Sequence, residues 1–189
     1  MNKLYSLVAV VVLMSGCSYK NEAIELSSYK AHSLSKTTED RNNISFLSVT
    51  DIRADKTSIG YVEANGYVTT KLYSHVDFAD RYKEGLTKVL KAAMFNMVNN
   101  PADANTKIDV KIKDIQLIYN DTDKLNENLH GKIIVEVTLT KADKVNVFTF
   151  TQKQGIWIKP SYTSKDVEPL LNTLFTDSID AIVSKLANK

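Results

Sequence analysis

Residues 132–151 read KIIVEVTLTKADKVNVFTFT, and this stretch decides the fold. Ile133, Val135, Val137 and Leu139 fall on alternate positions, with Glu136, Thr138 and Thr140 between them. Period two marks a strand with one buried face. Lys141-Ala142-Asp143-Lys144 makes a tight turn, and Val145 to Lys153 returns as the second arm of a β-hairpin. Gly155-Ile156-Trp157-Ile158 ends the sheet region, closed by Pro160.

Upstream of the hairpin, Ile108, Val110 and Ile112 alternate with Asp109, Lys111 and Lys113. Ile115, Leu117 and Tyr119 continue in the opposite phase, which predicts a bulge near Lys113-Asp114. Residues 120–131 form a polar connection. Across residues 76–98 the period changes: Phe78, Tyr82, Leu86, Val89, Leu90, Ala93, Met94, Met97 and Val98 recur at three- and four-residue steps. That spacing predicts one apolar helix face, with Asp77 as N-cap and Asn99-Asn100-Pro101 as the stop. Gly85 costs about 1 kcal/mol inside a helix, which points to close packing on a sheet. A second helix is predicted over 165–187, with Val167, Leu170, Leu171, Leu174, Phe175, Ile179, Ile182, Val183 and Leu186 on one face. Pro169 belongs in a first turn, so the regular helix is expected to begin close to Asp166.

Ile44 to Val49 reads as the first strand of the domain. Ser58 to Val62 reads as a weaker one, which Asn65-Gly66 turns back into Tyr67 to Tyr73. The expected class is α+β: an antiparallel or mixed sheet packed against two amphipathic helices, in a single domain over residues 44–189.

The N-terminus carries an address. Lys3 is followed by an apolar run from Leu4 to Met14, then Ser15, Gly16 and Cys17. A basic start, a short apolar run and small residues before a cleavage point make a secretory signal over residues 1–16. Leu13-Met14-Ser15-Gly16-Cys17 resembles a bacterial lipobox, with Met14 where Leu is usual. The resemblance implies that Cys17 is acylated and becomes the mature N-terminus. It is the single cysteine of the chain, so it has no internal disulfide partner. Ser18 rather than Asp after it implies export to the outer membrane. Residues 17–43 are expected to be the lipidated cysteine and a flexible tether, spanning about 25–30 Å on average, with a short strand at Ala23 to Leu26.

Removing the signal leaves roughly 170 residues, enough to bury the core of one domain. Net charge for the whole chain is +2, with no basic stripe, which argues against a nucleic-acid partner. No second apolar run reaches the length of a membrane span.

Chemistry-bearing motifs are sparse. G-x-S-x-G, H-E-x-x-H and a phosphate-binding glycine loop are all lacking, so neither enzyme nor cofactor is expected. His32, His75 and His130 stand far apart, without metal-ligand spacing. The acidic set Asp109, Asp114, Asp121, Asp123 and Glu127 lacks the glycine of a calcium loop. Asp51 and Arg53 have two readings: a polar pocket at a strand end, or a local ion pair fixing the loop before Ile59-Gly60. The second weighs more. Trp157, with Ile156, Ile158 and Tyr162, is either an exposed aromatic edge for a partner or a cap on the core, and again the second weighs more. The sheet face of Glu136, Thr138, Thr140, Thr149 and Thr151 is Thr-rich and weakly charged, and has two readings: a surface for a partner protein or glycan, or a plain strand surface, which Thr suits well.

Taken together, a lipobox, a polar tether, an apolar strand running into Asp51-x-Arg53, then Ile59-Gly60, a long helix, a strand with Leu117 and Tyr119, a hairpin and a final helix with Leu171-Asn172-Thr173-Leu174 make a pattern. It resembles the YajG-type family of small outer-membrane lipoproteins over roughly residues 1–187. The resemblance implies an α+β periplasmic domain and carries no catalytic residues. The expected protein is a non-enzymatic envelope lipoprotein held through Cys17 on the periplasmic side of the outer membrane. Its domain is expected to bind an envelope protein or glycan, with Trp157, Tyr162, Asp51 and Arg53 as the candidate surface. One alternative is an accessory of envelope transport or lipopolysaccharide assembly that binds lipid or glycolipid, which requires a groove between helix and sheet. Another is a periplasmic hydrolase.

Overall fold

A computed structural model describes residues 23–30, 42–122 and 126–187. The signal segment, Cys17 and His32 lie outside them. In chain order the elements are β1 (Asn43–Asp51), β2 (Ser58–Ala64), β3 (Tyr67–Tyr73), α1 (Phe78–Ala92), β4 (Asn96–Met97), β5 (Thr106–Asn120), β6 (Leu129–Lys141), β7 (Lys144–Ile156) and α2 (Ser164–Ala187). The seven strands form one mixed sheet with the two helices packed against it, an α+β fold.

Strand β5 is the spine. On one side it pairs antiparallel with β6, and β6 pairs antiparallel with β7 through the turn at Ala142-Asp143. The bulge expected near Lys113-Asp114 is there: the β5–β6 register slips between Ile112 and Asp114. This slip lets Ile108, Val110 and Ile112 share the buried face with Ile115, Leu117 and Tyr119. On its other side β5 takes two partners in tandem. Strand β1 runs parallel to Thr106–Ile112, and β2 runs parallel to Leu117–Asn120. In effect β1 and β2 are one interrupted strand. β3 folds back on β2 through Asn65 and Gly66, whose φ angles of 52° and 80° suit a tight hairpin turn.

Both helices cover the same face. Tyr82, Leu86, Val89 and Leu90 of α1 and Leu171, Phe175 and Ile179 of α2, all at 1% exposure or less, share one core with the inward side chains of the strands. The Tyr82 and Phe175 rings meet edge to face, centroids 4.9 Å apart. The Tyr82 hydroxyl shares a 2.5 Å hydrogen bond with Ser178 Oγ, and burial pushes its pKa far up.

Several expectations are corrected. α1 ends at Ala92 rather than running to residue 98. Met94 turns left-handed (φ 72°), its N–H donates to Lys91 O at 3.1 Å, and the Phe95 N–H donates to Leu90 O at 3.0 Å. These two bonds are the Schellman stop, here without glycine. Beyond it Asn96-Met97 pairs parallel with β1 at Asn43-Ile44, so Met97 is a strand residue. α2 begins at Ser164, where Thr163 N–H donates to Asp166 Oδ2 at 2.8 Å. Pro169 therefore sits in the second turn, on the exposed side with Lys165. Gly85 packs on α2 and not on the sheet: a Cβ there would stand 2.5 Å from Ile179 Cδ1 and 3.2 Å from Tyr29 Cβ.

Tyr29 belongs to the largest correction. Residues 23–30, expected within a flexible tether, are docked along α2. Ile24, Leu26 and Tyr29 are 1%, 2% and 5% exposed and join the core. No regular strand forms at Ala23 to Leu26, but Ile24 N–H donates to Tyr73 O at 2.9 Å and accepts at its own carbonyl from Ser74 Oγ at 2.6 Å. Glu25 N–H donates to Glu168 Oε1 (3.3 Å), Ser27 N–H to Asn172 Oδ1 (2.8 Å), and the Tyr29 hydroxyl to Asp180 Oδ1 (2.5 Å). Alternate apolar residues sink inward while helix side chains satisfy the outward amides.

Candidate functional site

The interruption between β1 and β2 is where Asp51 and Arg53 sit. Arg53 Nε and Nη2 reach the Asp51 carboxylate at 3.0 and 2.7 Å, a two-pronged ion pair with side chains only 6% and 7% exposed. Arg53 Nη2 also donates to Lys56 O at 2.7 Å, and Nη1 to Ser58 O at 2.9 Å. The guanidinium lies over the Phe78 ring at 5.0 Å. Asp55 ties the rest of the loop: Thr57 N–H, Thr57 Oγ1 and Ser58 N–H all donate to its Oδ1. These bonds, the one from Ser58 first, hold its carboxyl below the usual range. Gly60 follows with φ 153°, and a Cβ there would lie 1.8 Å from Leu117 O, so only glycine lets β2 rejoin β5. The Asp-x-Arg and Ile-Gly signals thus work as one latch. Asp51 and Arg53 spend their polar atoms inside it and offer a partner almost no surface.

Among the described residues, no element covers the face of the sheet away from the helices. Glu136, Thr138, Thr140, Thr149 and Thr151 share it, as their register requires. Two ion pairs cross from β5 to β6, Lys113 with Glu136 at 2.9 Å and Lys132 with Asp114 at 2.7 Å, and a third runs along β5, Lys111 with Asp109 at 3.6 Å. Ser48 Oγ donates to Asp109 as well. A shallow hollow of about 340 Å³ lies between Gln116, Ile118, His130, Lys132 and Lys153. This face presents hydroxyls and short ion pairs together with the exposed Val145 and Val147, which stand opposite Thr140 and Thr138.

Trp157 and Tyr162 lie at the end of the sheet, past Ile156, which pairs with Leu129 opposite Tyr119. Trp157 is 53% exposed. Tyr162 is half-buried, its ring 4.4 Å from that of Tyr119. The structure therefore does not bring the four candidate residues together: Trp157 and Tyr162 stand across β5 from the buried Asp51–Arg53 pair. Asn128, missed in the sequence, holds this end. It is fully buried, accepts from Ile158 N–H and donates to Ile158 O, both at 2.8 Å, and so acts as one more rung beside β7. A lone Asn in a polar connection carries no signal of that role.

His75 packs edge-on to Tyr73 at 5.3 Å, and His130 lies on the open face. Among the described residues no three His, Cys, Asp or Glu side chains converge to hold a metal, and no helix is long and apolar enough to cross a membrane.

Comparison with known proteins starts from this geometry. A solved structure of an uncharacterized protein is similar with a TM-score of 0.55 at 10% identity, covering 86% of this chain and 99% of that one. A second, from Xanthomonas campestris, aligns with a TM-score of 0.52 at 9% identity, covering 85% and 92%. At such identities these two show the fold alone. A minor lipoprotein from Acinetobacter baumannii is similar at a TM-score of 0.46 and 13% identity, covering 78% and 94%. No curated protein matches significantly. A family model described as an uncharacterized lipoprotein matches residues 31–185. That family has no known catalytic function and implies a lipid anchor to an envelope membrane. With most of the chain matched, the protein belongs to this uncharacterized lipoprotein family, the one that includes YajG.

Proposed function

We propose that this protein is a non-enzymatic docking lipoprotein, held through acylated Cys17 on the periplasmic side of the outer membrane, whose open sheet face binds an envelope protein. The single observation that carries the reading is the division of the sheet. Among the described residues, one face is covered by both helices, while the other is uncovered and Thr-rich, with exposed Val145 and Val147 and two cross-strand ion pairs. Such a face favours a polar, weakly charged partner over an anionic or strongly cationic one. A glycolipid carrier needs a groove between helix and sheet. Here that layer is filled by side chains such as Tyr82, Leu86, Val137, Leu171 and Phe175, all at 1% exposure or less.

Photo-crosslinkers placed at Thr138 and Thr149 in intact cells test the reading. The expected result is a discrete protein adduct, lost with Glu136→Lys on the same face and weakened when Cys17→Ala releases the chain from the membrane fraction. Adducts confined to glycan, or absent from both positions while the protein stays membrane-bound, overturn it.

A further inference from the structure

We infer that the end of the domain where α2 begins rests on the headgroup surface of the anchoring bilayer, with Trp157 and the β2–β3 turn at the contact. The inference rests on acylation of Cys17. Residues 23–30 run alongside α2 in step with it: Glu25 meets Glu168 and Ser27 meets Asn172. Two extended residues rise about 6.6 Å and one helical turn about 5.4 Å, so the two advance together. Going back from Glu25, Ala23 comes level with Ser164, the first residue of α2. Five residues separate Ala23 from Cys17 in the sequence. Whatever their conformation, they reach at most about 20 Å.

Burial of Ile24, Leu26 and Tyr29 keeps the rest of the segment from adding slack. The same end of the sheet carries the connections at Asn65-Gly66 and after Ile156. It exposes Tyr67 at 75%, Val68 at 62% and Trp157 at 53%. Tyr and Trp are the side chains that suit the headgroup zone, with an apolar body and a polar tip. Exposed Lys165 and mixed acidic neighbours give this end no strong charge, so aromatic contact and the short leash set the orientation. The fifteen residues of β5 put the Ala142-Asp143 turn about 50 Å from the bilayer. The open face then stands beside the membrane normal, accessible from the periplasm.

Trp157 is the only tryptophan in the chain, so its fluorescence reports the contact directly. The full acylated protein is reconstituted in vesicles of phosphatidylethanolamine and phosphatidylglycerol that carry a headgroup-level quencher. Trp157 is expected to lose most of its emission, whereas Trp157→Phe combined with Val145→Trp, a reporter at the far end, stays bright. A twenty-residue Gly/Ser spacer inserted after Tyr19 is expected to restore Trp157 emission while the protein still sediments with vesicles. Failure of the full chain to sediment overturns the anchor itself. Sedimentation with Trp157 as bright as the Val145→Trp reporter overturns the orientation and leaves the anchor standing.

Discussion

Two irregular stretches are held in place by opposite means. Residues 23–30 lie against the helices through three apolar side chains, with hydrogen bonds only as trim. The loop between Asp51 and Ser58 is held by polar groups: one guanidinium gathers a carboxylate and two carbonyls, and Asp55 gathers two amides and a hydroxyl. The first is a strap that adds three side chains to one side of the core, and it is expected to lift without opening the sheet. The second interrupts the sheet itself, and the strands on either side depend on it. Buried area and buried charge are therefore not interchangeable ways of fixing a segment. One fails locally, the other globally.

The sharpest way to break the contrast is Arg53→Met. It leaves the Asp51 carboxylate without its counter-ion, holding only the backbone N–H of residue 53, and two carbonyls without their guanidinium donor, and a loss of about 3–5 kcal/mol in global stability is expected from urea unfolding. Adding Asp51→Leu removes the orphaned charge and is expected to recover part of that loss; no recovery would mean that the carbonyl contacts dominate.

Ile24→Ala is expected to cost about 2–3 kcal/mol, but locally. Hydrogen exchange at the Ile24 and Ser27 amides should quicken about a hundredfold while β6 and β7 keep their protection. Uniform loss across the sheet would show that the strap is part of the cooperative core.

A smaller effect comes from Gly85→Ala, where about 1 kcal/mol of helix propensity is gained. The clash with Ile179 and Tyr29 is expected to outweigh it, giving a net loss of about 1–2 kcal/mol and raised protease sensitivity near Tyr29. A stabilised variant would mean that α1 and α2 separate freely.

The smallest is Asp166→Ala, at the start of the helix that carries the strap. Hydrogen bonding, first from Thr163 N–H, holds the Asp166 carboxyl below its usual pKa near 3.8. Its contribution is thus present above the unfolded value and vanishes as pH falls through the lower folded one. The variant should lose about 0.5–1 kcal/mol at neutral pH and match the wild type in strong acid. A difference that persists in acid would assign the loss to helix propensity instead.

Where structure was legible in the sequence, contacts were local or periodic. The β6–β7 hairpin, the phase change at Lys113-Asp114 and the apolar stripe of α2 each announce themselves within a dozen residues. The strap did not, because Ile24, Leu26 and Tyr29 stand among polar neighbours and find their partners some fifty to one hundred and fifty residues away. The end of α1 was hidden for another reason. Met97 and Val98 prolong the three-four spacing beyond Ala92, and only the left-handed turn at Met94 breaks it. Of the candidate site, the loop-fixing role of Asp51 and Arg53 was readable from their spacing. The pairing of Lys113 with Glu136 and of Lys132 with Asp114 depends on cross-strand register, which no single stretch contains.

The tandem arrangement of β1 and β2 along one edge of β5 sets the order in which a growing or exported chain finds its shape. A chain emerging from its N-terminal end offers Ile44 to Asp51 no long neighbour until Thr106 to Asn120 has followed. Such distant parallel pairing slows folding. β1 and β2 therefore complete their edge of the sheet only once residues 106–120 are available to pair with them.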